Sequence, residues 1–239
     1  MIISSISEYI VPIVDVIPTP DSEGIQAATY LGTGFFISNK WLMTCRHVIN
    51  KAKNFPCVVY KVVGNPDNSR IDGLKNIKLH PYADIAVAEV SDIASKFYKP
   101  LSTNFASELI LGQDIINYSY VENPQPDYKV GLTPRVLKGY ITRTSVEQND
   151  PRLSYLEVSF PALSGMSGSP ILDNEANVIG IIYRNYRSQI LEDYVEEHRI
   201  EYEKNTLKET HISYKVVDYG QAVDLAKYKD FIVPLLTEQ

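Results

Sequence analysis

The chain has 239 residues, 44% of them hydrophobic and 22% charged, with a formal net charge of −6. This is enough apolar side chain to bury a sizeable core in one compact unit. The acidic balance and the lack of any Lys/Arg-rich run exclude the clustered basic face that meets phosphates, and no apolar run reaches membrane-spanning length, so neither nucleic acid nor membrane is expected as a partner.

The opening MIISSISEYIVPIVDVIPTP lacks a basic n-region, a long apolar segment and a small-residue cleavage site, so it reads as part of the fold and not as a secretory leader. Strands are predicted near Ile10 to Ile17, Leu31 to Ser38, Trp41 to Thr44, Val58 to Val63, Ile77 to Leu79 and Asp84 to Val90, from β-branched and aromatic runs punctuated by Gly, Pro, Asn and Asp. Six strands suffice for one barrel. Lys96 to Ser107 reads as a linker. Strands resume near Ile115 to Val121, Arg135 to Thr144, Tyr155 to Phe160, Pro170 to Leu172 and Val178 to Tyr183, enough for a second barrel.

Between Ile190 and Tyr214, LEDYVEEHRIEYE has partly helical spacing while RIEY and ISYKV alternate as strands; a protruding hairpin turning near Lys204 to Glu209 is the preferred reading. In AVDLAKYKDFIVPLL, Val223, Ala226, Phe231 and Ile232 share one helical face before Pro234, predicting a short C-terminal helix. Cys45 and Cys57 are the only cysteines, fewer than secreted β-rich domains of this size usually carry, which favours a reducing cytoplasm. A disulfide between them is open from sequence, packed thiols being the simpler state.

Three motifs carry chemistry. SGMSGSP, Ser164 to Pro170, sets Ser167 in a glycine-flanked turn, as a nucleophile needs when its Oγ must project while backbone N–H groups converge on an oxyanion; Gly165 and Ser167 are placed to supply those amides. The plain alternative is an ordinary Ser/Gly turn. In GTGFFISNKWLMTCRHVIN, His47 follows directly on a strand end, where a general base can be held rigidly. In HPYADIAVAEV, Asp84 opens a buried strand, a costly place for a carboxylate unless an imidazole N–H satisfies it. His80, His198 and His211 lie at no such junction and are read as structural or surface residues; Asp72, beside Gly73, is read as a turn. Zinc binding by Cys45, His47 and Cys57 has neither the paired spacing nor a fourth ligand, so no metal site is expected.

With these residues in the order His, Asp, Ser, the sequence resembles the trypsin/chymotrypsin superfamily of serine peptidases, and its bacterial trypsin-like members more than the digestive enzymes. GTGFFIS with MTCRHV resembles the family's G-S-G-F and T-A-x-H-V elements, DIAV its D-hydrophobic-A-hydrophobic, and GMSGSP its G-[DN]-S-G-G-P. The resemblance covers roughly Gly32 to Asp230. It implies an all-β fold of two antiparallel six-stranded barrels of the chymotrypsin type with a short C-terminal helix. Residues 1–105 would form the first barrel, with His47 and Asp84; residues 106–239 would form the second, with Ser167 and a charged insertion at 186–210.

The activity implied is a serine endopeptidase acting through a Ser-His-Asp triad and an acyl-enzyme, with no cofactor. A catalytically inactive binding or scaffolding module of the same fold is the alternative. The partners would be a protein or peptide substrate and a regulatory protein contacting the insertion. By the same resemblance, Pro161, Ala162, Leu163 and Ser164 and, opposite them, Tyr183, Arg184 and Asn185 line the primary pocket. Its first segment has no carboxylate, so uncharged side chains are expected at the cleaved position. Met166 departs from the acidic residue that in digestive members pairs with a newly released N-terminal amine, so control without N-terminal cleavage is expected.

Overall fold

The computed structural model describes residues 8–18, 25–61, 69–91, 98–103, 105, 109–122, 132–146, 150–200 and 206–237. Two sheets make up the fold, antiparallel throughout except where β8 pairs in parallel with β13. The first takes β1 (Ile10–Pro18), β2 (Ile25–Phe36), β3 (Trp41–Thr44), β4 (Phe55–Lys61), β5 (Ser69–Gly73), β6 (Lys75–Leu79) and β7 (Ala86–Glu89) in the order β5-β4-β1-β2-β3-β7-β6. The second takes β8 (Ser102–Thr103), β9 (Asp114–Glu122), β10 (Leu132–Val146), β11 (Ser154–Val158), β12 (Pro170–Leu172), β13 (Asn177–Ile200) and β14 (Thr206–Asp224). Because β12 pairs with both β9 and β13, the six strands β12-β9-β10-β11-β14-β13 close on themselves, and β8 joins β13 outside the ring.

This is the chymotrypsin-type two-barrel fold, with one closed six-stranded barrel and one curled sheet that no ladder closes among the described residues. Its C-terminal end is a 3₁₀ turn at Leu225–Tyr228, with Asp224 accepting from the Ala226 N–H, and then helix α2 (Lys229–Thr237).

Burial explains the arrangement. Ile10, Val11 and Ile13 of β1, Phe35 and Phe36 of β2 and Trp41 to Met43 of β3 are buried in one cluster. That cluster runs on into Tyr118, Leu172, Val178, Ile181 and Val223 of the second barrel and Ile232 and Leu235 of α2. A second cluster around Ile115, Ile141, Leu156, Val158 and Ile171 fills the closed barrel, and Met166 sits in it. The two sheets are therefore joined by continuous apolar packing, the favourable contribution that scales with area removed from water.

Several expectations are adjusted by the backbone. A short helix, α1 (Arg46–Asn50), follows β3 where no helix was foreseen. Asp72 lies inside β5 opposite Val58 and accepts from the Ser91 hydroxyl, because β4 offers an unpaired edge that a turn would waste. The stretch read as a linker contributes β8; its residues 96–97, 104 and 106–107 lie outside the described set, as do Val62 and Val63. The charged segment is a hairpin, but Ile200 faces Thr206 across it, so β14 is already under way where the turn was expected. Pro234 falls inside α2, and Val223 belongs to β14.

The α1–β4 connection is tied to β1 by Asp15, whose carboxylate accepts the N–H groups of Lys53, Asn54 and Phe55 and the Asn54 amide, at 2.9 to 3.1 Å. Asp15→Ala removes the acceptor shared by these part-buried bonds and frees the connection from β1. It is expected to cost about 1 kcal/mol in a denaturant titration, whereas Asp15→Asn, which retains one acceptor oxygen, is expected to cost less.

Candidate active site

His47 is the second residue of α1, and Asp84 stands in the turn leading to β7. The two are fixed to each other twice: the His47 N–H donates to Asp84 Oδ1 at 2.8 Å, and His47 Nδ1 lies 2.5 Å from Asp84 Oδ2. Two points of attachment fix both the position and the tilt of the imidazole. Burial pushes the Asp84 carboxyl up. The side-chain hydrogen bond, charge and backbone N–H of His47, aided by the Arg46 charge, outweigh it and hold the pKa below the ordinary value of 3.8.

The Asp84 turn is itself braced by His80, whose Nδ1 accepts the N–H groups of Tyr82 and Ala83 while its ring lies edge-on to Tyr228 and Phe231. This is a structural role, the first of the two readings, structural or surface, given to His80 from sequence. The side chains of His198 and His211 lie outside the described set.

Ser167 sits between two glycines with left-handed backbone, Gly165 at φ +92° and Gly168 at φ +89°. The loop is held from both sheets. Thr33 N–H donates to Ser167 O at 2.9 Å, Gly168 N–H to Ile182 O at 2.8 Å, and Ile182 N–H to Ser169 O at 2.9 Å. Met166 is fully buried in the second barrel, its sulfur 3.0 Å from the Leu163 N–H. Among the described residues, the N–H groups of Gly165 and Ser167 donate to no protein acceptor and are left available to an incoming oxygen.

Ser167 Oγ lies 3.5 Å from the Tyr183 carbonyl, and among the described residues no hydrogen bond joins it to His47. The Tyr183 carbonyl comes within reach because the β13–β14 register slips between Ile182 and Arg184, leaving Tyr183 bulged. Such bulges re-aim backbone groups beside sites.

A cavity of about 290 Å³ opens over Ser167, lined by Ala162, Leu163, Ser164, Gly165, Arg184 and Asn185 among others. Asn185 clamps its two walls together, its Nδ2 donating to Ala162 O at 2.7 Å and its Oδ1 accepting from the Ala162 N–H at 2.5 Å. Pro161 and Tyr183 do not line this cavity. The Tyr183 ring instead stacks on Tyr155 with its hydroxyl on Gln221, and burial pushes its phenol well above the ordinary value. Arg184 donates from Nε to Gln221 at 2.8 Å, with its guanidinium over the Tyr183 ring.

Tyr30, Leu31 and Lys51 complete the lining and were not foreseen. The available signal was position: Tyr30 and Leu31 directly precede GTG, and Lys51 lies one helical turn beyond His47.

The ligand atoms of Cys45, His47 and Asp84 lie within 4.8 Å of one another. Their chemistry does not suit a metal. His47 Nδ1 is engaged by Asp84, and the Cys45 thiol donates to Ile182 O and is pushed well up by burial, away from the thiolate a metal requires. Cys57 packs with Val14 and Val16, apart from this group, and both thiols are free.

A histidine doubly tied to a carboxylate on the curled sheet, with a glycine-flanked serine on the closed barrel packed against it, is the arrangement of the trypsin-like class. A family model described as a trypsin-like peptidase domain matches residues 32–181, and the chain belongs to that family. It is also 26% identical over 165 residues to the uncharacterized protein y4bJ of Sinorhizobium fredii. The match covers 69% of this chain and 23% of that relative, so the chain corresponds to less than a quarter of the relative's length.

Two outcomes are expected. A methyl group at Gly168 would lie 2.1 Å from Thr33 O and 2.2 Å from Thr44 Oγ1, so Gly168→Ala is expected to displace the Ser167 loop, with a lower thermal midpoint and altered near-UV circular dichroism. Because Asp84 has a depressed folded pKa, its ionic contribution is complete above pH 3.8 and is lost as pH falls from there through the lower folded value. The stability advantage of the parent over Asp84→Asn is therefore expected to be constant at neutral pH and to shrink below pH 3.8, as followed by thermal melts.

Proposed function

We propose that this chain is a serine endopeptidase in which Ser167 is the nucleophile, His47 the general base and Asp84 the carboxylate that orients it. The observation that carries this reading is the two-point Asp84–His47 attachment, set beside a serine loop whose Gly165 and Ser167 amides are unspent. Asp84 accepts a hydrogen bond from the Nδ1–H, which stays on the ring, so Nε2 is the nitrogen left with the lone pair to act as base.

Substrate entering the cavity draws Ser167 Oγ from the Tyr183 carbonyl toward Nε2. His47 takes the hydroxyl proton as Oγ attacks the peptide carbonyl, and the negative oxygen is received by the two amides. The imidazolium then protonates the leaving amine as the C–N bond breaks, giving an acyl-enzyme. A water molecule, deprotonated by the same nitrogen, attacks the acyl carbonyl; the C–Oγ bond then breaks, the imidazolium returns its proton to Ser167 Oγ, and the acid product leaves. The residues use no cofactor in this sequence.

The resting contact of Ser167 Oγ with Tyr183 favours a second reading, an inactive module that has kept the fold. The compartment we assign is the cytoplasm. Two free, buried thiols suit a reducing environment, and no helix among the described residues is long and apolar enough to cross a membrane. The partners we assign are a protein or peptide substrate and, at the hairpin, a regulatory protein.

A fluorophosphonate probe followed by mass spectrometry separates the two readings. Stoichiometric labelling at Ser167, abolished in Ser167→Ala and strongly slowed in His47→Ala, is the expected result. Turnover of a peptide library by either variant should fall by roughly 10⁴ to 10⁶. A probe that leaves Ser167 unlabelled in folded parent protein would establish the inactive module.

A further inference from the structure

The Gly165 carbonyl, one bond from the amide of Met166 and two residues from the nucleophile, is met by two hydroxyls from β2. Tyr30 Oη lies 2.8 Å from it and Thr33 Oγ1 3.0 Å. Among the described residues the Tyr30 hydroxyl, with one proton to give, also lies 3.1 Å from Thr33 Oγ1 and from Tyr120 O. Gly165 O is the nearest of the three and so the favoured acceptor. Thr33 Oγ1 accepts the Tyr120 N–H at 3.1 Å, so its own proton is also free to go to Gly165 O. Thr33 is fully buried and cannot turn to solvent instead.

The fit leaves little slack. A methyl group at Gly165 would lie 2.4 Å from Tyr30 Cε1, and the Thr33 N–H holds Ser167 O at the far side of the same loop. Swinging the Gly165 residue out of place would break both hydroxyl contacts and carry its N–H, which lies on the preceding peptide across the same α-carbon, out of line with that of Ser167. Met166 is buried in the apolar core and carries no charge; its own ties to the loop are neutral, its N–H donating to Leu163 O at 3.0 Å and its sulfur accepting from the Leu163 N–H.

We propose that Tyr30 and Thr33 are positioning residues: a pair of neutral hydroxyl hydrogen bonds from the first sheet to Gly165 O keeps the oxyanion-binding conformation formed in the resting protein. This rests on the peptidase reading for its consequence in catalysis, though not for its geometry. Thr33 is buried and does not line the cavity; Tyr30 lines it, with its hydroxyl turned to Gly165 O. The two hydroxyls act through the loop, so they set the rate of the chemical step and leave ground-state binding nearly untouched.

Met166 is the only methionine that follows a glycine, so [1-¹³C]Gly/[¹⁵N]Met labelling of the full chain gives a single Gly165–Met166 cross-peak in a carbonyl-correlated spectrum. Each lost donor should move the Gly165 carbonyl upfield, in steps through Tyr30→Phe or Thr33→Val to the double variant. In peptide turnover, kcat should fall in the double variant roughly tenfold beyond the product of the single losses, with KM little changed. Tyr30→Phe/Thr33→Ser should return to the level of Tyr30→Phe alone.

An unmoved cross-peak in Tyr30→Phe, which keeps every Thr33 contact and remains informative if the double variant does not fold, overturns the proposal. So does a loss confined to KM. A parent protein without turnover would count against the peptidase reading, while the cross-peak still decides the hydroxyl pair.

Discussion

The Ser167 loop is the place where both sheets must agree. Its backbone is bonded to Thr33 on one side and to Ile182 on the other, and Gly168 is packed so tightly against Thr33 O and Thr44 Oγ1 that no side chain fits between them. Neither sheet can shift without changing where Ser167 points. The apolar cluster that runs from β1 through Leu172 and Ile181 to α2 makes such a shift costly, because it would expose side chains from both halves at once. Site geometry and fold stability therefore depend on the same contacts.

Electrostatics play a narrower part. The one charged contact among the residues assigned to chemistry is Asp84 with His47, a carboxylate whose burial penalty is offset by hydrogen bonds from both the backbone and the ring of the same histidine. Among the described contacts, those that hold the Ser167 loop itself come from neutral groups: backbone amides, two hydroxyls, the Asn185 amide and a buried thioether. Neutral contacts in a protected site are little screened by salt, so the loop's shape should depend weakly on ionic strength.

Much of this was legible in the sequence, for a physical reason. His47, Asp84 and Ser167 stand at junctions between elements, and the residue types that make such junctions, glycine pairs and strand-end polar groups, are conspicuous in short windows. The fold class followed from alternating runs of the same kind. What escaped were features that depend on partners far away in the chain. β5 forms because β4 has an edge to fill, Tyr30 reaches Gly165 across 135 positions, and Asn185 meets Ala162 across 23. The bulge at Tyr183 depends on the register of a ladder set by both strands together, which no window around Tyr183 contains.

Among the described residues the first sheet is unclosed, with β5 and β6 at its two outer borders, and their composition bears on how the protein keeps to itself. A bordering strand offers unpaired N–H and C=O groups to any other extended chain, including a second molecule of the same kind. β5 carries Arg70 and Asp72; β6 carries Lys75 and Lys78, exposed along its whole length, and bends at Asn76 with φ +44° and a register shift before Lys78. Charge and irregularity on both borders make side-by-side stacking of molecules unfavourable. The sheet that receives α1 and the Asp84 turn can thus stay open without becoming a template for aggregation.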